Sequence, residues 1–150
     1  LATQADRADM TFKIYDIPRE MVADFWSAVE VMLTKSLEHH PHLDAPGLLR
    51  ILVANFAQLF VMTKGGKVVA ACVMERQQYP SHVVANVVAL AADGGIFREH
   101  GAEIQERLEA WARERGCDRI ALVGRPGWTR FFVNRAGGAS IPLVHAWKQL

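Results

Sequence analysis

Apolar and polar positions first alternate in Thr11–Ile17 (TFKIYDI), where Phe12, Ile14 and Ile17 are set between polar neighbours, and the pattern predicts a half-buried strand. Pro18 suits a first helical turn. Met21, Val22, Phe25, Trp26, Val29, Met32, Leu33 and Leu37 then recur at spacings of three and four, which predicts an amphipathic helix ending near His39-His40-Pro41. Asp44-Ala45-Pro46 reads as an N-cap with proline in the first turn, opening a second helix through Leu48, Leu49, Leu52 and Val53. Two strands, Gln58–Thr63 and Lys67–Gln77, flank Lys64-Gly65-Gly66, and the glycine pair supplies the positive φ angles of a tight hairpin.

Pro80 breaks the second of these strands. His82–Ala92 (HVVANVVALAA) is nearly continuous apolar text, as expected of a strand covered on both faces. Gly94-Gly95 ends it. A helix carrying Ile104, Leu108 and Trp111 on one stripe follows, with Gly116 as its left-handed stop, then a strand at Arg119–Val123. Strand, helix and strand with short joints make a βαβ unit, so these two strands are expected to run parallel. Trp128–Arg135 reads as a short helix and Ile141–Trp147 as a last strand. Residues 1–9 lack periodicity and read as a flexible tail ahead of one domain over 10–150.

Composition narrows the class. The chain has 150 residues, 51% hydrophobic and 22% charged, enough apolar text for a core of its own. Seventeen Lys and Arg against sixteen Asp and Glu leave +1, too near neutral for a bulk nucleic-acid binder or a polybasic membrane binder. No apolar run approaches the roughly 18 residues that span a bilayer. Cys72 and Cys117 form no CxxC pair, which argues for a reducing compartment. Arg119, Arg125, Arg130, Arg135 and Lys148 stand in a C-terminal stretch without an acidic residue, either a solvated face or a surface for an anionic partner.

The predicted order β-α-α-β-β-β-α-β-α-β, with the text from Gln58 to Gly138, resembles the GNAT fold, the acyl-CoA N-acyltransferase superfamily. QLFVMTKGGKVVAACV resembles the family's second and third strands, and LEAWARERGCDRIALVG its third helix running into the fifth strand. Gln78-Tyr79-Pro80 and the turn Gly124-Arg125-Pro126-Gly127-Trp128 resemble the small GNAT-like proteins of tailed bacteriophages more closely still. The resemblance implies a mixed α/β domain whose central mixed sheet has about six strands, flanked by about four helices.

It also implies three chemical requirements. Family enzymes hold the coenzyme A pyrophosphate on a Q/R-x-x-G-x-G/A turn, where backbone amides and a helix N-terminus point at the phosphates. Here Arg98-x-x-Gly101 begins such a turn, but Glu103 takes the small-residue position, and Asp93 and Glu99 bring negative charge. The leaving thiolate takes its proton from a tyrosine on the fourth helix, whereas Trp128–Gly138 holds Phe131 and Phe132 and no tyrosine. The chain's tyrosines are Tyr15 and Tyr79. The attacking amine needs a base, and Glu75 and His82 are the nearby candidates, each readable also as a solvated strand or turn residue.

The other constellations have plain readings beside the chemical ones. His39, His40 and His42 could ligate a metal but equally suit the end of a helix, and no metal is expected. Cys72 and Cys117 read as packed residues, and Ser81, His82 and Asp93 do not make a triad by spacing. Trp128, between Arg125 and Arg130, is either a lid on the core or an anchor for a partner, and adjacent Phe131 and Phe132 cannot both face one interior.

Taken together these features lead to the expectation of a catalytically degenerate GNAT-like domain. It would serve as a protein-binding component of a tailed-phage particle or its assembly, through Arg125, Trp128, Arg130 and Phe131. Its partners would be phage structural proteins or further copies of itself, without cofactor, nucleic acid or membrane. It would reside in the host cytoplasm and then in the particle. The alternative is an acetyl-CoA-dependent N-acetyltransferase. The coenzyme would then lie between strands four and five, its pantetheine paired with Val88–Ala92 and its pyrophosphate on Gly94, Gly95, Arg98 and Gly101, with Glu75 or His82 as base.

Overall fold

A computed structural model describes residues 10–38, 40 and 42–122. The expected tail at 1–9, the short helix at 128–135 and the last strand at 141–147 lie outside the described residues, as do Arg125, Trp128, Arg130 and Phe131. Five strands, β1 (Phe12–Ile17), β2 (Gln58–Lys64), β3 (Lys67–Gln78), β4 (Val83–Ala92) and β5 (Arg119–Leu122), form one sheet in chain order. The first three pairings are antiparallel, and β4 and β5 pair in parallel, as the βαβ reading requires.

A 3-10 turn (Arg19–Met21) follows Pro18 and leads into helix α1 (Val22–Ser36). The helix stops three residues short of His39, because its last turn tightens on itself. Leu37 N bonds both Leu33 O and Thr34 O at 3.1 Å, and Ser36 Oγ donates to Leu33 O at 2.7 Å. Helix α2 (Ala45–Val53) starts as its sequence predicts, with Asp44 Oδ1 accepting from Gly47 N at 2.8 Å. Gly65 and Gly66 turn the β2–β3 hairpin at φ 62° and 73°. Helix α3 (Ile96–Glu114) ends on Gly116 at φ 70°, with Cys117 N reaching back to Ala112 O at 2.9 Å.

Alternate residues of the strands divide the core in two. Leu59, Val61, Ala71, Val73 and Ala89 face α1 and α2, where Trp26, Val29, Leu33 and Leu48 cover them. Phe60, Met62, Cys72 and Met74 face α3, under Ile104, Leu108 and Trp111. Each large side chain taken fully out of water stabilises the fold by about 1.5–3 kcal/mol. Polar contacts tie α3 and the turn after it to β1 and β4. Arg107 pairs with Asp16 on β1, and Asp118, beyond the helix, accepts from Val83 N at 2.9 Å and donates its own amide to Val83 O at 2.8 Å. Those last two bonds lay β5 against the start of β4.

Candidate functional site

Among the described residues, β4 pairs with β5 from Val84 to Val87, opposite Arg119–Leu122, and β4 itself continues to Ala92. The ladder to β3 is interrupted just past Val87. Val73 pairs with Ala89 and Met74 with Val87, so Val88 is an extra residue on β4, a β-bulge. A bulge bends its strand and redirects local backbone groups. Past the bulge, Ala92 leads through Asp93-Gly94-Gly95 into α3, with Asp93 N held to Val69 O at 2.8 Å.

That turn is the open part of the helix start. Gly95 precedes the first turn at φ 82°, a left-handed conformation that favours glycine, and a Cβ placed on Gly94 would meet nothing within 4 Å. The first intrahelical bond runs from Glu99 N to Gly95 O at 3.0 Å, so the Arg98 amide ahead of it has no intrahelical acceptor. Arg98 is exposed as the third residue of α3. Gly101 is not part of the turn. It lies buried inside α3, beyond the first turn and its available amides, so the expected Arg98-x-x-Gly101 phosphate motif falls within a regular helix, and Gly94-Gly95 stand as the candidate cradle at its start.

Of the three carboxylates that weighed against an anion here, Glu99 and Glu103 have partners, while Asp93 is exposed. Lys64 Nζ donates to Glu99 Oε2 at 2.7 Å, and that hydrogen bond, with the ammonium charge, holds the Glu99 carboxyl below the usual carboxylate range. His100 Nδ1 lies 2.9 Å from Glu103 Oε1, while its ring stacks on Phe12 at 4.1 Å between centroids. The cradle residues therefore fit a phosphate: an open glycine turn, a helix start, and Arg98 and Lys64 as cations.

On the α1/α2 face, ahead of the bulge, the sheet turns polar. Glu75 lies directly opposite Asn86, on the same face of the sheet, and Asn86 in turn opposite Ala121. Asn86 Nδ2 donates to Gln77 Oε1 at 2.8 Å. Glu75 is half-buried, and among the described residues no cation or donor pairs with its carboxylate. His82 is also half-buried, but stands at the turn before β4, where its carbonyl accepts from Tyr79 N at 2.8 Å. Three to four residues of ladder separate it from Glu75, about 10–13 Å at strand spacing, so the two expected bases do not meet. Asn86 was missed in the sequence. The signal for it is a lone polar residue in the run Val83–Ala92.

The remaining candidates stand away from Glu75 and the glycine turn. Tyr15 is on β1, three strands from β4, and Tyr79 is exposed at the end of β3. Burial pushes the Cys72 thiol far up, and the Cys117 thiol up less strongly, which suits packed residues rather than nucleophiles. His42 N donates to His40 Nδ1 at 3.1 Å, and among the described residues no group of His, Cys, Asp or Glu is arranged to hold a metal ion. No described helix is long and apolar enough to cross a membrane.

No family model and no curated protein matches the sequence. Solved structures do match the fold. An aminoglycoside acetyltransferase from an uncultured soil metagenomic sample is 18% identical, with 93% of this chain and 96% of that chain aligned at a TM-score of 0.70. A ribosomal-protein-alanine N-acetyltransferase from Brucella melitensis biovar Abortus is 13% identical over 93% and 99%, at 0.67. A predicted acetyltransferase from Clostridium acetobutylicum, solved with acetyl-CoA, is 13% identical over 93% and 96%, at 0.63. These matches overturn the expected role as a degenerate structural component of a phage particle. The similar proteins are acetyltransferases, none of the three is a phage or structural protein, and the placement in a particle falls with that role. The open glycine turn and the Lys64–Glu99 ion pair also weaken the electrostatic reason for that expectation. The chain has the GNAT acetyltransferase fold, a mixed α/β sheet flanked by helices.

Proposed function

We propose that this chain is an acetyl-CoA-dependent N-acetyltransferase acting on a primary amine. One observation carries the reading: β4 bulges at Val88 and runs on into an open Gly94-Gly95 turn at the start of α3, and on the same sheet stands the Glu75 carboxylate, which no described residue pairs. The likeness in fold to acetyltransferases supports it.

Acetyl-CoA, when bound, supplies an acetyl group as a thioester. The backbone of Val88–Ala92 offers strand-like donors and acceptors to the pantetheine amides. Gly94, Gly95 and Arg98 hold the pyrophosphate through backbone amides and a cation. Glu75 binds the incoming ammonium and accepts its proton, which leaves the nitrogen lone pair free to attack. Asn86, fixed by Gln77, holds the polar floor beside that carboxylate. With Tyr15 three strands from β4 and Tyr79 exposed past the end of β3, the departing thiolate would take its proton from water.

Calorimetry with coenzyme A, followed by amine-dependent thiol release across a panel of primary amines, tests the reading. Saturable binding together with release that falls about 100-fold in Glu75→Gln is the expected result. Binding without release by any amine, or no binding at all, would overturn it.

A further inference from the structure

We infer that Lys64, Arg98 and His100 form an anion-binding corner at the start of α3, and that in the ligand-free protein the Glu99 carboxylate fills it as a resident substitute for phosphate. The inference rests on the coenzyme reading above and adds to it a cation from the β2–β3 hairpin and an internal competitor.

Glu99 is not extended into water like an ordinary exposed helix glutamate. Its Oε2 takes Lys64 Nζ at 2.7 Å and lies 3.7 Å from His100 Nε2, and its Oε1 lies 4.0 Å from where a Cβ on Gly95 would stand. The carboxylate is folded back over the residue that precedes its own helix. Arg98 adds to the positive field on it. A negative group at a helix start, between a lysine and a histidine, stands where a phosphate would be held.

His100 gives an independent reason to read the corner as built for a ligand. Its ring is fixed by Phe12 on one face and by Glu103 at Nδ1, while Nε2 is buried with no hydrogen-bond partner. At 3.7 Å the Glu99 oxygen is too far to satisfy it. Buried polar atoms without partners are uncommon and costly. When both ring nitrogens carry protons, the ring can hold Glu103 with one and offer the other to an anion that comes closer. Lys64 is equally well fixed, at the end of β2, opposite Phe12 on β1 and Lys67 on β3.

Two anions cannot share this corner without mutual repulsion. A ligand phosphate must therefore displace the Glu99 side chain, which is already 57% exposed and free to move outward. Lys64 then exchanges a carboxylate for a phosphate. Glu99 thereby weakens the affinity of every anion and favours those with enough charge to displace it.

Calorimetry at low salt on the wild-type chain, Glu99→Gln and Lys64→Ala, with coenzyme A and with pantetheine, tests this. Glu99→Gln should bind coenzyme A about tenfold tighter and Lys64→Ala about tenfold weaker, with a shallower salt dependence, while pantetheine separates none of the three. Lys64→Met, which keeps most of the stem, replaces Lys64→Ala if the alanine loosens the hairpin. Coenzyme A affinities within twofold across the set would overturn the inference and leave the coenzyme reading standing. If the wild-type chain takes no coenzyme A, inorganic pyrophosphate followed by NMR decides. Binding strengthened by Glu99→Gln and lost in Lys64→Ala would keep the corner and reject the coenzyme, and no binding even by Glu99→Gln would reject both.

Discussion

On the face of the sheet beneath α3, β3 presents Ala70, Cys72 and Met74 to the core, flanked by Phe60 and Met62 from β2 and by Ala85 and Val87 from β4. On the face beneath α1 and α2, Ala71 and Val73 give way to Glu75 and Gln77, with Asn86 beside them. Met74 and Glu75 are neighbours in the chain, yet one is fully buried and the other carries a carboxylate that no described residue pairs. Because strand side chains alternate, β3 stays in the core beneath α3 through Met74 while its other face, buried at Ala71 and Val73, ends in polar side chains. Mutations on the two faces should therefore have separable effects.

The largest expected effect is on the α3 face. Phe60 is fully buried and meets Trp111 edge-on, with centroids 6.1 Å apart. Phe60→Ala should cost about 3–5 kcal/mol in urea denaturation, and a loss below about 1 kcal/mol would break the contrast between the faces. On the opposite face, Glu75→Gln should lower turnover about 100-fold while leaving stability within about 0.5 kcal/mol of wild type. An equal loss of stability would make Glu75 a structural residue. Asn86→Ala removes the donor to Gln77 and should cost about 1 kcal/mol, with a several-fold rise in KM for the amine rather than a loss of turnover.

The smallest effect is on the thiols. Burial raises both, so in the folded chain they keep their protons at a pH where the unfolded chain releases them. The stability linked to Cys72 is thus fully present below the ordinary thiol value of 9.0 and declines as pH rises beyond it. Cys72→Ala should flatten the alkaline end of the stability curve. A thiol reagent at pH 8 should reach Cys117 before Cys72, since Cys72 is fully buried and Cys117 only partly.

Features set by neighbours in sequence were legible from it. The Asp44 cap, the Gly65-Gly66 hairpin, the apolar stripe of α3 and its Gly116 stop each depend on residues within a few positions of one another. The candidate site depends on distant pairs. Lys64 and Glu99 are 35 residues apart, and the charge that seemed to spoil the phosphate turn is cancelled only once the hairpin is folded beside α3. Glu75 gained its place from the β3–β4 register, which no local pattern gives. Gly101 misled because a glycine packed inside a helix and a glycine in a phosphate turn look alike in text. The run VVALAA hid the bulge at Val88, since without polar residues it has no alternation to interrupt.

That bulge gives β4 one residue of slack. Val88 adds no step to the β3 ladder, so without it Ala89 would still pair with Val73 beneath α1 and α2, and the small residues that lead to Gly94 would stay in step with β3. A second loss would have no spare residue to absorb it and would exchange the faces of the positions beyond. In a library of deletions across Val83–Ala92 scored for folded protein, single losses at Val88 should therefore survive and double losses should not.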